Sequence, residues 1–143
     1  MSGSNGVPKI LIVDDEPDIV EYLCAVLEDN GYRTAGVTEA KEALEAVSRE
    51  QPDLILMDIL MPGESGLHLY REIRRNPETA DIPVLIISGY TKAEDFAAVD
   101  LGMLEEEKLP LPDGYLEKPI SIPKLIRSLN ELFESHDVGE PHV

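Results

Sequence analysis

The sequence predicts a doubly wound α/β fold, a five-stranded parallel sheet with helices on both faces. Three short apolar runs, Ile10-Leu11-Ile12-Val13, Leu54-Ile55-Leu56-Met57 and Val84-Leu85-Ile86-Ile87, are too short for helices and rich in β-branched residues, as strands buried on both faces are. Stretches with helical spacing alternate with them. Parallel strands need right-handed crossovers, and these place helices on both faces of the sheet.

The elements follow in chain order. After the first apolar run, Ile19, Val20, Leu23, Cys24, Val26 and Leu27 mark a helix that ends before Gly31. Tyr32 to Val37 reads as a more polar strand, suited to a sheet edge. Ala40, Ala43, Leu44 and Val47 mark a second helix before Pro52, with Thr38 as its cap. Beyond the second apolar run, Ser65 caps a helix carrying Leu67, Tyr70 and Ile73 that stops before Pro77. The third run leads to a helix entered through Thr91 and Glu94, a capping box. Tyr115-Leu116-Glu117 makes a short fifth strand, and Ser121 caps a last helix with Ile122, Leu125, Ile126, Leu129, Leu132 and Phe133 inward. Residues 8–135 are expected to form one domain, with 1–7 a flexible leader and 136–143 a flexible tail.

With 12 basic and 29 acidic residues among 143, the net charge is 12 − 29 = −17. Such a chain repels nucleic-acid backbones and anionic lipid headgroups, so neither is an expected partner. No apolar run approaches the roughly 20 residues needed to span a bilayer, and the first residues lack a signal-peptide pattern. The single cysteine, Cys24, is expected to be a buried structural thiol in a reducing cytoplasm.

In a sheet of this kind ligands bind beyond the carboxyl ends of the strands, where strand order reverses. The residues just past the apolar runs are Asp14, Asp15 and Glu16, then Asp58, then Ser88 and Gly89, and after the fifth strand Lys118 and Pro119. Carboxylates converging on one rim repel each other unless a cation sits among them. Oxygen ligands without His or Cys favour a hard ion such as Mg²⁺. Asp58 is the candidate nucleophile, because a carboxylate can form an acyl phosphate. Lys118 can pair with a phosphoryl oxygen as a point charge, and Ser88 can donate a hydrogen bond to another.

These residues resemble the receiver domain of bacterial two-component response regulators over Lys9 to Phe133. The match comprises the run Ile10 to Glu16, the stretch from Asp58 through Met61-Pro62-Gly63 to Gly66, then Ser88-Gly89, and Lys118-Pro119. The resemblance implies a flavodoxin-like fold and a phosphoryl group passed from a phosphohistidine of a histidine kinase, or from a phosphotransfer protein, to Asp58. It implies Mg²⁺ held by Asp15, Asp58 and the backbone carbonyl of Leu60, with Asp14 acting through water. It makes Ser88 and Tyr115 a switch pair that reports phosphorylation to a downstream output domain or protein, and places Leu60 and Tyr90 where they tune access of water. Pro119 falls at a position where the family commonly has a cis bond. The implied role is that of a signalling domain and not of an enzyme acting on a separate substrate. The alternatives are a Mg²⁺-dependent hydrolase with an aspartyl nucleophile, resembling the haloacid dehalogenases, and a pseudo-receiver scaffold. The first wants Asp-x-Asp at the first strand where this chain has adjacent aspartates; the second usually lacks an acidic or Lys position retained here.

The chain departs from the family in one place. Ser88 and Lys118 are 118 − 88 = 30 residues apart, more than the family's usual spacing, with the surplus around Leu104 to Pro112. This acidic, proline-ended insertion is expected on the surface beside the fifth strand, away from the strand-end rim. The sequence contains no recognisable output domain.

Overall fold

The computed structural model describes residues 6–58, 66–89 and 108–138, excepting the side chains of Leu67, Ser88 and 135–138. Its elements are β1 (Lys9–Val13), α1 (Pro17–Asp29), β2 (Arg33–Val37), α2 (Ala40–Glu50), β3 (Leu54–Asp58), α3 (Gly66–Arg75), β4 (Val84–Ser88), β5 (Gly114–Glu117) and α4 (Ile122–Val138). The five strands are parallel in the order β2-β1-β3-β4-β5. From β1 the chain steps one way to β2 and the other way to β3, so strand order reverses between β1 and β3. The helix expected from Thr91 and Glu94, the Ser65 cap and the loop residue Pro62 lie outside the described residues.

Alternation along the three apolar strands divides the core in two. Leu11, Val13, Ile55, Met57, Val84 and Ile86 face one side, against Ala40, Ala43, Ala46 and Val47 of α2 and Leu69, Tyr70 and Ile73 of α3. Ile10, Ile12, Leu54, Leu56, Leu85 and Ile87 face the other, against Leu23 and Leu27 of α1 and Leu125 and Leu129 of α4. A strand whose side chains all find an apolar partner has no polar face to alternate, which explains the unbroken runs in the sequence.

Helix ends differ from expectation in one case. Ser121 caps α4, accepting a bond from the Lys124 N–H at 3.4 Å. Thr38 does not cap α2: the helix begins at Ala40 with Glu39 as the extended N-cap residue and no side-chain cap. Thr38 is one residue too far out to reach the free N–H groups of the first turn. The inward stripe of α2 is also shifted. Leu44 is exposed, and Ala46 takes the core position beside Ala43 and Val47. Small side chains there bring α2 close to the sheet. The last helix, α4, runs to Val138.

A second close approach sits between α1 and β2. A Cβ on Gly36 would lie 2.4 Å from Val20 Cγ1 and 3.7 Å from Cys24 Sγ. Cys24 itself is half-buried, and burial pushes its thiol pKa up.

At the end of the sheet opposite the carboxyl ends, Arg74 is buried against several partners. Its guanidinium donates to Tyr70 Oη (2.9 Å), to the carbonyls of Ala80 (2.9 Å) and Ile82 (2.7 Å), and to Asp113 Oδ2 (3.0 Å). The Tyr70 hydroxyl donates in turn to the carbonyl of Pro110 at 2.7 Å. This network pins the end of the insertion to α3. Within its described part, Pro110 and Leu111 are exposed as expected, but Leu109 packs on the core. Residues 104–107 lie outside the described residues.

Gly36→Ala is expected to destabilise the protein by about 1–3 kcal/mol, because the branched Val20 has little freedom to yield. Gly114→Ala meets only the flexible end of Leu85, at 2.9 Å, and should cost less. Urea denaturation of the two variants checks the order.

Candidate functional site

Register brings the predicted residues to one rim. Val13 pairs with Met57 and Met57 with Ile86, so Asp14 and Asp58, each one residue further on, emerge side by side at the point of strand reversal. Ser88 stands opposite Glu117, and Lys118 follows on β5. Asp14 is fully buried and Asp58 is 2% exposed, while Asp15 is half-buried and Glu16 reaches into solvent.

Lys118 holds this rim together from two strands away. Its Nζ donates to Asp58 Oδ2 at 3.0 Å and to Glu16 Oε1 at 3.3 Å, and lies 2.9 Å from Asp14 Oδ2. Burial alone would lower the ammonium's pKa, but contacts with Asp14 and Asp58 outweigh it and hold the pKa above its ordinary value. The other oxygen of Asp14 accepts the Glu16 backbone N–H at 2.9 Å. Asp14 Oδ2, although paired in charge with Lys118, is buried and accepts no directed hydrogen bond. The Lys118–Pro119 peptide is cis, as the family resemblance leads one to expect.

The same rim fits a hard cation. Asp14, Asp15 and Asp58 each offer a carboxylate oxygen, and these oxygens lie within 4.8 Å of one another. Three clustered carboxylates beside one ammonium leave an excess of negative charge, and the donors are all oxygen, the set that Mg²⁺ prefers. The undirected oxygen of Asp14 adds acceptor capacity at the same place.

Of the remaining predicted residues, Ser88 is placed by its backbone at the end of β4, with its side chain outside the described residues; Leu60 and Tyr90 lie wholly outside them. Tyr115 is half-buried against the α2 and α3 face of the core. Burial and the neighbouring Tyr70 push its hydroxyl pKa up to about 12. Sequence reasoning gave Glu16 no role, although it touches Lys118. The signal was available in its place beside Asp14 and Asp15, but nothing in a sequence says which of three adjacent acids turns toward a lysine about a hundred residues away.

The model of the response regulator receiver domain family matches residues 10–130. The phosphate regulon transcriptional regulatory protein PhoB of Escherichia coli is 33% identical over 119 residues, 82% of this chain and 48% of PhoB. Protein PilH of Pseudomonas aeruginosa is 33% identical over 122 residues, 85% of this chain and 94% of PilH. Among solved structures, the chemotaxis response regulator CheY4 of Vibrio cholerae superposes with a TM-score of 0.74 at 25% identity, covering 87% of this chain and 98% of that one. The chain thus spans about half the length of PhoB and nearly all of PilH.

Two outcomes are expected from these contacts. Lys118→Met leaves two buried carboxylates without their cation and should destabilise the protein by about 3 kcal/mol in metal-free buffer, measured by urea denaturation. For Tyr115 the folded pKa lies above the unfolded one, so its contribution to stability is full below about pH 10 and is lost as pH rises toward about 12. Burial raises the pKa values of Tyr32 and Tyr70 as well, so alkaline titration followed by tyrosinate absorbance should show several late-ionising groups, one fewer in Tyr115→Phe.

Proposed function

The chain belongs to the response-regulator receiver family, and on that premise we propose that Asp58 is its phosphoacceptor. The observation that carries this reading is one buried carboxylate at the point of strand reversal, 3.0 Å from an ammonium and clustered with two further aspartates. Receiver domains act as phosphoacceptors in two-component signalling and interact with histidine kinases and output domains. In this chain an Asp58 carboxylate oxygen attacks the phosphorus of a phosphohistidine, the P–N bond breaks, and an acyl phosphate forms as the imidazole leaves. Lys118 keeps its proton and pairs with the transferred group as a point charge.

Asp15, Asp58 and the Leu60 carbonyl would hold Mg²⁺, with Asp14 reaching it through water. Asp14 is the most deeply buried of the three, with one oxygen accepting the Glu16 N–H, which supports the indirect role. When bound, the ion supplies positive charge where the phosphoryl oxygens and carboxylates meet. Ser88 and Tyr115 would form the switch pair. The domain would be a signalling module in the cytoplasm, taking its phosphoryl group from a histidine kinase or phosphotransfer protein and acting on an output domain or protein. Among the described residues no helix is long and apolar enough to cross a membrane.

Incubation with Mg²⁺ and acetyl phosphate or phosphoramidate should add one phosphoryl group by intact mass, and none to Asp58→Asn. Equal labelling of both proteins overturns the assignment. Mg²⁺ alone should raise the melting temperature by mass action, about 2.7 kcal/mol at a hundred times Kd. The rise should shrink in Asp15→Asn.

A further inference from the structure

Of the three carboxylates around Lys118, only Glu16 stands in solvent, its side chain 60% exposed against 0% for Asp14 and 3% for Asp58. The ammonium sends one directed hydrogen bond to Asp58 and another to Glu16. If Asp58 accepts a phosphoryl group, the Lys118 ammonium must turn toward a phosphoryl oxygen while three carboxylates lie 2.9, 3.3 and 3.0 Å from it. Withdrawing from Asp14 would strip a buried carboxylate of its counter-charge, which is costly. Withdrawing from Asp58 would take the ammonium away from the acceptor itself. Glu16 is the contact given up at least cost, because its carboxylate is rehydrated as it lets go.

We propose that Glu16 is a placeholder on Lys118: its carboxylate holds, in the unphosphorylated protein, the ammonium proton that a phosphoryl oxygen takes over. The inference rests on the phosphoacceptor reading of Asp58 and adds a positioning residue to it. Glu16 acts on where the ammonium points and on the charge at the mouth of the site. It does not set whether Lys118 is charged, since Asp14 and Asp58 hold that proton. Nor does its side chain cap α1, which starts at Pro17 with Glu16 as an N-cap residue making no side-chain cap bond. Removing the side chain therefore leaves the fold untouched and frees one donor of Lys118.

The test measures initial rates of phosphorylation by acetyl phosphate with Mg²⁺, at varied donor concentration, in wild type, Glu16→Gln, Glu16→Ala and Glu16→Asp. Glu16→Ala should be faster than wild type by about threefold, the scale of one exposed ion pair. Glu16→Gln, which keeps an acceptor but loses the charge, should fall between, and Glu16→Asp should restore the slow rate in part. The gain should shrink at high salt, and melting temperatures without Mg²⁺ should match wild type. Equal or slower phosphorylation of Glu16→Ala in a protein that is labelled at Asp58 overturns the placeholder and leaves the phosphoacceptor reading standing. Absence of Asp58 labelling in wild type overturns both.

Discussion

Two carboxylates buried side by side at the end of a parallel sheet require a cation, and Lys118 is the one the fold supplies. Asp14 and Asp58 follow paired residues on adjacent strands, so their separation is fixed by strand spacing and they cannot move apart. Neither faces water. Lys118 reaches them from β5, beyond β4, with an Nζ 2.9 Å from one and 3.0 Å from the other. β5 lies at the sheet edge, and Lys118 follows directly on its last residue. One positive charge facing several negative ones leaves an excess of negative charge among oxygen donors at the rim.

Another cation, Arg74, is buried where Lys118 is only partly so, and the contrast separates structure from function. Arg74, at the opposite end of the sheet, divides its donors among a tyrosine hydroxyl, two backbone carbonyls and Asp113. Asp113 Oδ2 also accepts the Val84 N–H at 2.8 Å, so the network closes on itself and ties α3, β4 and the segment before β5 together. A planar guanidinium suits such fixed, many-partner geometry. Lys118 is a compact point charge on a flexible stem, with one contact exposed to solvent. The first arrangement has no reason to change; the second can exchange a partner.

The same domain occurs among its relatives as nearly a whole protein, in PilH, and as about half of one, in PhoB. Pro110 and Asp113, before β5, are fastened by Tyr70 and Arg74 at the far end of the sheet, while the strands set the spacing of Asp14 and Asp58.

The sequence by itself determined the fold class, the three central strands and the set of residues at the rim, because buried parallel strands must be continuously apolar and charges are tolerated only at their ends. Its inward positions were right wherever one residue type could satisfy them, as at Leu23, Leu27, Leu125 and Leu129. It misjudged Thr38 and Leu44, where the decision lies in a shift of a residue or two along α2. Tertiary structure alone decided that Glu16 and not Asp15 meets Lys118, that Arg74 lies buried beneath the insertion, and that Gly36 is the contact point of α1 with β2. Each of these depends on residues far apart in the chain coming within a few ångströms. Local periodicity carries which face a side chain takes, but not which distant group it finds there.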